Sequence, residues 1–386
     1  MLQKKHILPI IVFSQFCCTS LWFAGNGVMS DLITSFKLSE EALGHLTSAV
    51  QFGFIIGTLC FSILTLVDRF PPSKVFFISA LLGALCNLGM TWEGNTLTSI
   101  IGFRFLTGFF LAGIYPVGMK IAADYYESGL GKALGYLVGA LVLGTAFPHL
   151  LKDMTTTFPW KSVIIAISGL ATLGGLLMLL LVPNGPFRKV STQFDFSAFY
   201  KVFQNKEFRV SAFGYFGHMW ELYAFWAFVP VILSSYATHQ ELNLNIPLLS
   251  FLIIGVGGLA CVLGGYLAQS FGVKRIATWM LLLSCICCLV SPVVLQTSQE
   301  YVVMTFLFFW GMVVIADSPL FSTLVAQNAP TQIKGTALTI VTCIGFAITI
   351  ISIQLLSQLV NSIDANWLYM LLAIGPILGL ISLKNK

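Results

Sequence analysis

Four ionisable side chains lie within long apolar stretches of the sequence: Arg104, His218, Glu221 and Asp317. A charge at the centre of a membrane-spanning helix costs about 2.5 to 3.5 kcal/mol on insertion scales, so such residues are functional candidates. His218 and Glu221 are three residues apart and share one helix face. Because burial favours a protonated carboxyl group and an adjacent imidazole can pass a proton on, we predict that Glu221, His218 and Asp317 carry protons.

Each of these assignments has a structural alternative. His218 lies only nine residues after Arg209, close to the start of its apolar segment. If it lay near the membrane interface, it would titrate without consequence for transport. Asp317 lies two residues before Pro319, where a bend in the helix predicts a gate, but it could equally pair with Arg104 or a backbone donor. The sequence leaves these alternatives open.

Arg104 predicts the chemistry of a bound solute. A guanidinium group can hold a carboxylate or a phosphate through two parallel hydrogen bonds, which indicates an anionic or zwitterionic substrate. The alternative is a structural arginine that binds helix carbonyls or pairs with an acid. Five further residues complete the predicted substrate-binding set: Trp22, Asn26, Gln51, Tyr115 and Trp310. For Asn26 and Gln51, hydrogen bonding between helices is the competing role.

Motifs of enzymes and of resident cofactors are absent from the sequence. It contains no HExxH, no GxSxG and no phosphate-binding loop, and no Cys/His spacing typical of a metal site. The nine cysteines all lie in apolar runs, where we interpret them as small packing residues. We therefore predict a protein that is not an enzyme and that holds neither a metal nor a cofactor.

The composition is that of a membrane protein. Of the 386 residues, 57% are hydrophobic and 9% charged, and the mean hydropathy is +0.89, whereas soluble domains have about 25% charged residues. The net charge of +5 comes from basic residues between apolar runs, which argues against nucleic acid as a partner. The lipid bilayer, a small-molecule solute and protons are the expected partners of a monomer.

Twelve apolar segments have the length of membrane-spanning helices, for which about 20 residues suffice. They lie at about 7–35, 42–66, 74–92, 97–123, 131–151, 159–182, 209–235, 247–269, 275–297, 300–326, 335–359 and 365–382. The polar stretch 184–208 separates the first six from the last six. We predict an all-α membrane protein of two six-helix bundles, 1–183 and 209–386, joined by a linker at 184–208.

Lys and Arg are distributed very unevenly over the two sides of this arrangement. Sixteen lie on the side of both termini and the linker, and three, Lys37, Lys152 and Lys161, lie on the other. Positive residues accumulate in cytoplasmic loops, so both termini and the linker are predicted to be cytoplasmic. Gly108 and Pro116 recur as Gly311 and Pro319 at an offset of 203, which indicates duplicated halves with a cavity between them.

Three segments carry a family resemblance. The loop after the second span keeps Asp68, Arg69 and Lys74 of the pattern G-x-L-a-D-R-x-G-R-K, and the loop after the eighth span, G-Y-L-A-Q-S-F-G-V-K-R, keeps its glycines and basic end. The fourth span fits R-x-x-x-G-x-x-x-A with Arg104 in register. These patterns resemble the major facilitator superfamily, and S-L-W-F-A-G-N-G-V (20–28) resembles one of its bacterial branches.

The resemblance implies the twelve-helix fold of that superfamily, alternating access and a bacterial inner (plasma) membrane location. It also implies a conformational latch at the cytoplasmic ends of the helices: Asp68, Arg69, Lys74, Lys274 and Arg275. Spans 2 and 8 lack the arginine of nitrate carriers, and span 5 lacks the Gly-Pro pair of drug antiporters. We predict a proton-coupled secondary transporter; the alternatives are a proton-driven exporter of a metabolite or drug, and a transport-inactive sensor.

Overall fold

The computed structural model describes residues 4–125, 130–155, 157–188, 198–330, 333–360 and 362–384. Within these ranges the regular structure is helical. The centre of the predicted linker, 189–197, lies outside the described residues, as do Lys189 and Lys386. The chain divides into two compact units, Met1–Phe196 (unit 1) and Ser197–Lys386 (unit 2).

Unit 1 contains ten helices among its described residues. Their bounds are α1 Lys4–Thr19, α2 Ala24–Gly27, α3 Met29–Phe36, α4 Ala42–Ile63, α5 Leu66–Arg69, α6 Pro72–Gly89, α7 Leu97–Leu111, α8 Tyr115–Ala123, α9 Leu130–Met154 and α10 Lys161–Leu181. The first predicted span, 7–35, is therefore divided into α1, α2 and α3 rather than being one helix. The fourth is divided into α7 and α8, with Pro116 in the first turn of α8.

Unit 2 has a similar order of elements in its described part. Its helices are α11 Ala198–Val202, α12 Lys206–His239, α13 Ile246–Phe271, α14 Val273–Leu295, α15 Glu300–Ala316, α16 Ser318–Asn328, α17 Lys334–Leu359, α18 Ala365–Leu368 and α19 Ile374–Lys384, with a 3-10 helix at Tyr369–Ala373. α12 has 34 residues and would be about 51 Å long at 1.5 Å per residue, against a hydrocarbon core of about 30 Å. α12 is therefore longer than the hydrocarbon core is thick.

Ten segments of the described chain are long and apolar enough to cross a membrane, and two shorter apolar helices, His6–Thr19 and Tyr369–Lys384, lie where the first and twelfth spans are predicted. Leu97–Ala123 and Glu300–Asn328 each count as one segment although each is divided near its middle. The all-α membrane fold predicted from the sequence is confirmed.

The two units repeat the same helix pairings. In unit 1, α4 packs on α7 and α1 packs on α9 and α10; in unit 2, α13 packs on α15 and α12 packs on α17 and α19. A Cβ atom on Gly108 would lie 2.0 Å from the Val50 carbonyl oxygen, and one on Gly311 would lie 2.1 Å from that of Ile253. Val50 and Ile253 are also 203 residues apart, so the close contact itself is duplicated.

Candidate functional site

A buried polar cluster in unit 2 surrounds Glu221. The carboxylate oxygen Oε1 of Glu221 accepts hydrogen bonds from Ser284 Oγ at 2.5 Å, Trp310 Nε1 at 2.6 Å and Cys288 Sγ at 3.2 Å. Glu221 lies near the middle of α12, and its partners lie on α14 and α15. Because its side chain is only 1% exposed, these three donors replace water around the carboxylate.

His218 and Asp317 form a second pair one turn away along α12. His218 Nδ1 lies 2.8 Å from Asp317 Oδ1, and both side chains are buried. Among the described residues, His218 Nε2 and Asp317 Oδ2 have no hydrogen-bond partner. The pair therefore has two buried polar atoms, His218 Nε2 and Asp317 Oδ2, that can bind water or another group.

The division between α15 and α16 positions Asp317. Asp317 is the residue between the two helices, and its carbonyl oxygen accepts the backbone N–H groups of Leu320 and Phe321. Pro319, in the first turn of α16, has no N–H group to donate, which favours a helix start at this point. The side chain of Asp317 thereby reaches α12 and His218.

Arg104 is fully buried in unit 1 and is bonded to the divided first span. Its Nη1 donates to the Leu21 carbonyl at 3.0 Å and to Asn87 Oδ1 at 3.5 Å, and its Nη2 donates to the Trp22 carbonyl. Leu21 and Trp22 lie between α1 and α2. Their carbonyls accept hydrogen bonds from Arg104 instead of from the next turn of a helix. Its Nε atom has no partner among the described residues.

Four of the residues predicted to bind substrate lie near one another in unit 1. Trp22 Nε1 donates to Gln51 Oε1 at 3.1 Å, and the Trp22 ring packs against Tyr115 with ring centroids 6.3 Å apart. Asn26, on α2, donates to Thr47 Oγ1 on α4 at 2.9 Å. The Gln51 Nε2 group is buried without a hydrogen-bond partner in the described part of the chain.

Trp310, the sixth residue of that set, lies in unit 2 and contacts Glu221. Within unit 2, Trp310 thus contacts one of the predicted proton-carrying residues. The site roles of all these residues stay predictions.

The sequence as a whole matches a known family model. Residues 11–353 fit the Major Facilitator Superfamily. This chain belongs to that superfamily. Its members are membrane transporters rather than enzymes, as predicted from the sequence.

Individual relatives are more distant. The niacin transporter NiaP of Acinetobacter baylyi is 27% identical over 207 residues, covering 48% of this chain and 44% of the relative. A probable sugar efflux transporter of Helicobacter pylori is 25% identical over 195 residues, covering 49% of each. This member of the superfamily thus spans about half the length of the curated relatives it matches.

Two solved structures share the fold. The proton:xylose symporter XylE, bound to 6-bromo-6-deoxy-D-glucose, gives a TM-score of 0.76 at 14% identity, covering 98% of this chain and 94% of that one. A bacterial homologue of the human lysosomal transporter Spinster, inward-facing and unoccupied, gives 0.69 at 13% identity, covering 93% and 83%. At these identities the likeness establishes the superfamily fold alone.

The five residues predicted as a latch differ from one another in the contacts that they make. Asp68 Oδ1 lies 3.7 Å from Lys120 Nζ, and Arg69 Nε donates to Thr65 Oγ1 at 3.1 Å. Lys74, Lys274 and Arg275 are exposed side chains.

Arg188, just after α10, is a further contact at this end of unit 1. Its Nη2 lies within hydrogen-bond distance of the carbonyls of Val67, Asp68 and Phe70, at 3.0 to 3.3 Å. Beside it, burial raises the pKa of the Asp124 carboxyl, which the positive charges of Lys120 and Arg188 partly oppose. The chain after span 6 is thereby attached to the loop between spans 2 and 3.

Sequence reasoning missed three of these residues. Ser284 and Cys288 are small residues in an apolar run, and nothing in their spacing relates them to Glu221, which is more than sixty positions away. Cys288 lies among the cysteines interpreted as packing residues, yet its Sγ contacts the Glu221 carboxylate. Arg188 enters the sequence analysis only as one basic residue of the polar linker and of the side of the membrane rich in Lys and Arg, and nothing in the sequence relates it to the loop between spans 2 and 3.

Proposed function

We propose that this chain is a proton-coupled secondary transporter that works by alternating access. The observation that carries the proposal is the buried group of titratable residues in unit 2, with Glu221 bonded to three donors and His218 paired with Asp317. Two carboxyl groups and an imidazole at this depth have no evident packing role, because apolar residues of the same size would fill the space at lower cost.

Glu221 is the residue proposed to exchange its proton during transport. None of its three bonded donors is a cation, so an ionised Glu221 depends entirely on Ser284, Cys288 and Trp310. These partners lie on α14 and α15, and a movement of either helix relative to α12 would remove donors and favour the protonated carboxyl. Proton uptake and a change of helix packing are coupled in this way.

The cargo proposed is a small anionic or zwitterionic organic solute. The two Nη groups of Arg104 are bonded to the first span, and its Nε–H is the donor proposed to meet a carboxylate. The rings of Trp22 and Tyr115 offer an apolar surface beside it. Niacin, the solute named for the Acinetobacter relative, is an aromatic carboxylate and fits this combination.

Sugar export is the second candidate, and one observation favours it. Trp22 is hydrogen-bonded to Gln51, and the Gln51 amide nitrogen has no partner among the described residues. An indole next to an amide suits a neutral polyhydroxylated solute, and the Helicobacter relatives are named as probable sugar efflux transporters. The carrier is proposed to be a monomer in the bacterial inner membrane. Both termini and the linker are proposed to face the cytoplasm.

Transport in proteoliposomes containing the purified full chain tests the function. Radiolabelled nicotinate and hexoses are offered as solutes, first for exchange without a gradient and then with a pH gradient of one unit, which supports about tenfold accumulation for one coupled proton. We expect Glu221→Gln to keep exchange and lose accumulation. The matched control is Glu207→Gln, an exposed acid in the first turn of α12, which should behave as wild type.

Three outcomes would contradict parts of this proposal. Uphill accumulation by Glu221→Gln would exclude Glu221 as the coupling residue. Exchange of hexoses but not of nicotinate would favour the second candidate over the anionic cargo. A folded protein that exchanges no solute from a broad panel of metabolites would favour the transport-inactive sensor.

A further inference from the structure

A small cavity lies within unit 2 at the end of α12 that is distant from Lys206. It has a volume of about 260 Å³ and is lined by Ile232, Ser235, Tyr236, His239, Leu295, Asp364 and Tyr369. At roughly 30 Å³ for each water-sized group, it has room for about nine non-hydrogen atoms. Glu221, which lies near the middle of α12, does not line it, so the cavity is separate from the proposed coupling site.

The lining combines aromatic rings, a carboxylate and an unused hydroxyl. Tyr236 donates its hydroxyl to the Thr297 carbonyl at 3.2 Å, which fixes the ring on α12. Tyr369 is 1% exposed, and its hydroxyl has no hydrogen-bond partner among the described residues. Asp364, an exposed acid, also lines the cavity.

The surroundings of the cavity are electronegative. The three loops at this end of unit 2, residues 240–245, 296–300 and 360–365, contain Glu241, Glu300 and Asp364 but no Lys or Arg. Glu300 interacts electrostatically with Tyr236. The C-terminal end of α12, with its partial negative charge, is directed at the same place, since the helix ends at His239.

We propose that this cavity binds a small organic cation, of the size of a quaternary ammonium compound or a short amine. Tyrosine faces attract such cations through their ring electrons, and the carboxylate of Asp364 supplies the compensating charge. The site is independent of the proposed proton coupling and of the anionic cargo. It lies at the end of unit 2 opposite the basic loops, where it gives this transporter a second ligand site.

Titration calorimetry of the purified full chain in detergent tests the proposal, with choline as the cation and 3,3-dimethylbutan-1-ol as its uncharged isostere. We expect choline to bind and the alcohol not to bind. Asp364→Asn should weaken choline binding about tenfold, and Tyr236→Phe, which keeps the ring, should change it little. The matched control, Glu241→Gln, removes an acid at the same end that does not line the cavity and should retain wild-type affinity.

The possible results distinguish a cation site in this cavity from a cation site at the Glu221 cluster and from no cation site. Equal binding of the alcohol, or no binding of choline to the wild type, would overturn the proposal, as would unchanged affinity in a folded Asp364→Asn. Glu221→Gln should bind choline as tightly as wild type, and a loss of binding there would place the cation at the coupling cluster instead. Thermal unfolding of each variant shows that a loss of affinity does not result from misfolding.

Discussion

Replacing Arg104 with lysine tests whether this arginine holds the divided first span together. The substitution keeps a positive charge in the same buried place, so the cost of burying a charge is nearly unchanged. It replaces a planar group that reaches the carbonyls of Leu21 and Trp22 by a single nitrogen on a shorter stem. At least one carbonyl loses its partner where Arg104 is 0% exposed and water cannot replace it.

The expected loss of stability follows from this one carbonyl without a partner. A buried acceptor without a partner costs about 1 to 3 kcal/mol, so the free energy of unfolding of Arg104→Lys should fall by that amount. Unfolding in detergent and hydrogen exchange of the amides between Thr19 and Gly27 measure the global and the local effect. Arg69→Lys is the control, because Arg69 is exposed and a surface change is within about 0.5 kcal/mol.

The result that would refute this reasoning is an Arg104→Lys protein with wild-type stability and wild-type exchange between α1 and α2. Arg104 would then not support the first span. If the same variant lost affinity for an anionic solute, the substrate-binding role would be the one that remains.

Three further substitutions test the duplicated packing and the attachment of the chain after span 6. Gly108→Ala and Gly311→Ala should each destabilise the protein by about 1 to 3 kcal/mol in thermal or denaturant unfolding, because the added Cβ atom would overlap a backbone carbonyl. Gly102→Ala is the control, because a Cβ atom on Gly102 meets open space and should not destabilise the protein. Equal stability of all three variants would contradict the close helix contact. Arg188→Met should increase protease cleavage after α10, because three carbonyls of the neighbouring loop lose this donor. Lys74→Met, at an exposed position, is the control. Identical cleavage of both variants would show that Arg188 does not anchor this segment.

The positions of the spans were largely predictable from hydrophobicity, but the interruptions within them were not. The run from 7 to 35 is mostly apolar and contains no Lys or Arg, and its length alone predicts one helix. The structure divides it because Arg104, more than eighty residues later, supplies donors to carbonyls that would otherwise need a helical partner. The division of the fourth span was more visible in the sequence, since Pro116 follows Gly113 there.

The candidate site shows the same limit. The sequence singles out Glu221, His218 and Asp317 by their charge in apolar surroundings, and the structure shows which contacts each makes. The 2.8 Å approach of His218 to Asp317 joins residues 99 positions apart, and it depends on how α16 begins. The indole N–H of Trp310, a predicted substrate-binding residue, is bonded to the Glu221 carboxylate, a contact that the sequence does not indicate.

Composition alone determined that this chain folds in lipid as helices, because 9% charged residues cannot cover a globule in water and an unpaired backbone cannot cross a bilayer. The spacing of apolar runs and the uneven distribution of Lys and Arg then determined the expected number of spans and their direction. Tertiary structure alone decided which groups each buried charge meets, since the Trp22 carbonyl bonded to Arg104 and the Ser284 hydroxyl bonded to Glu221 come from other segments of the chain. The physical reason is that hydrophobicity acts on each segment separately, whereas a hydrogen bond between helices exists only once they have packed.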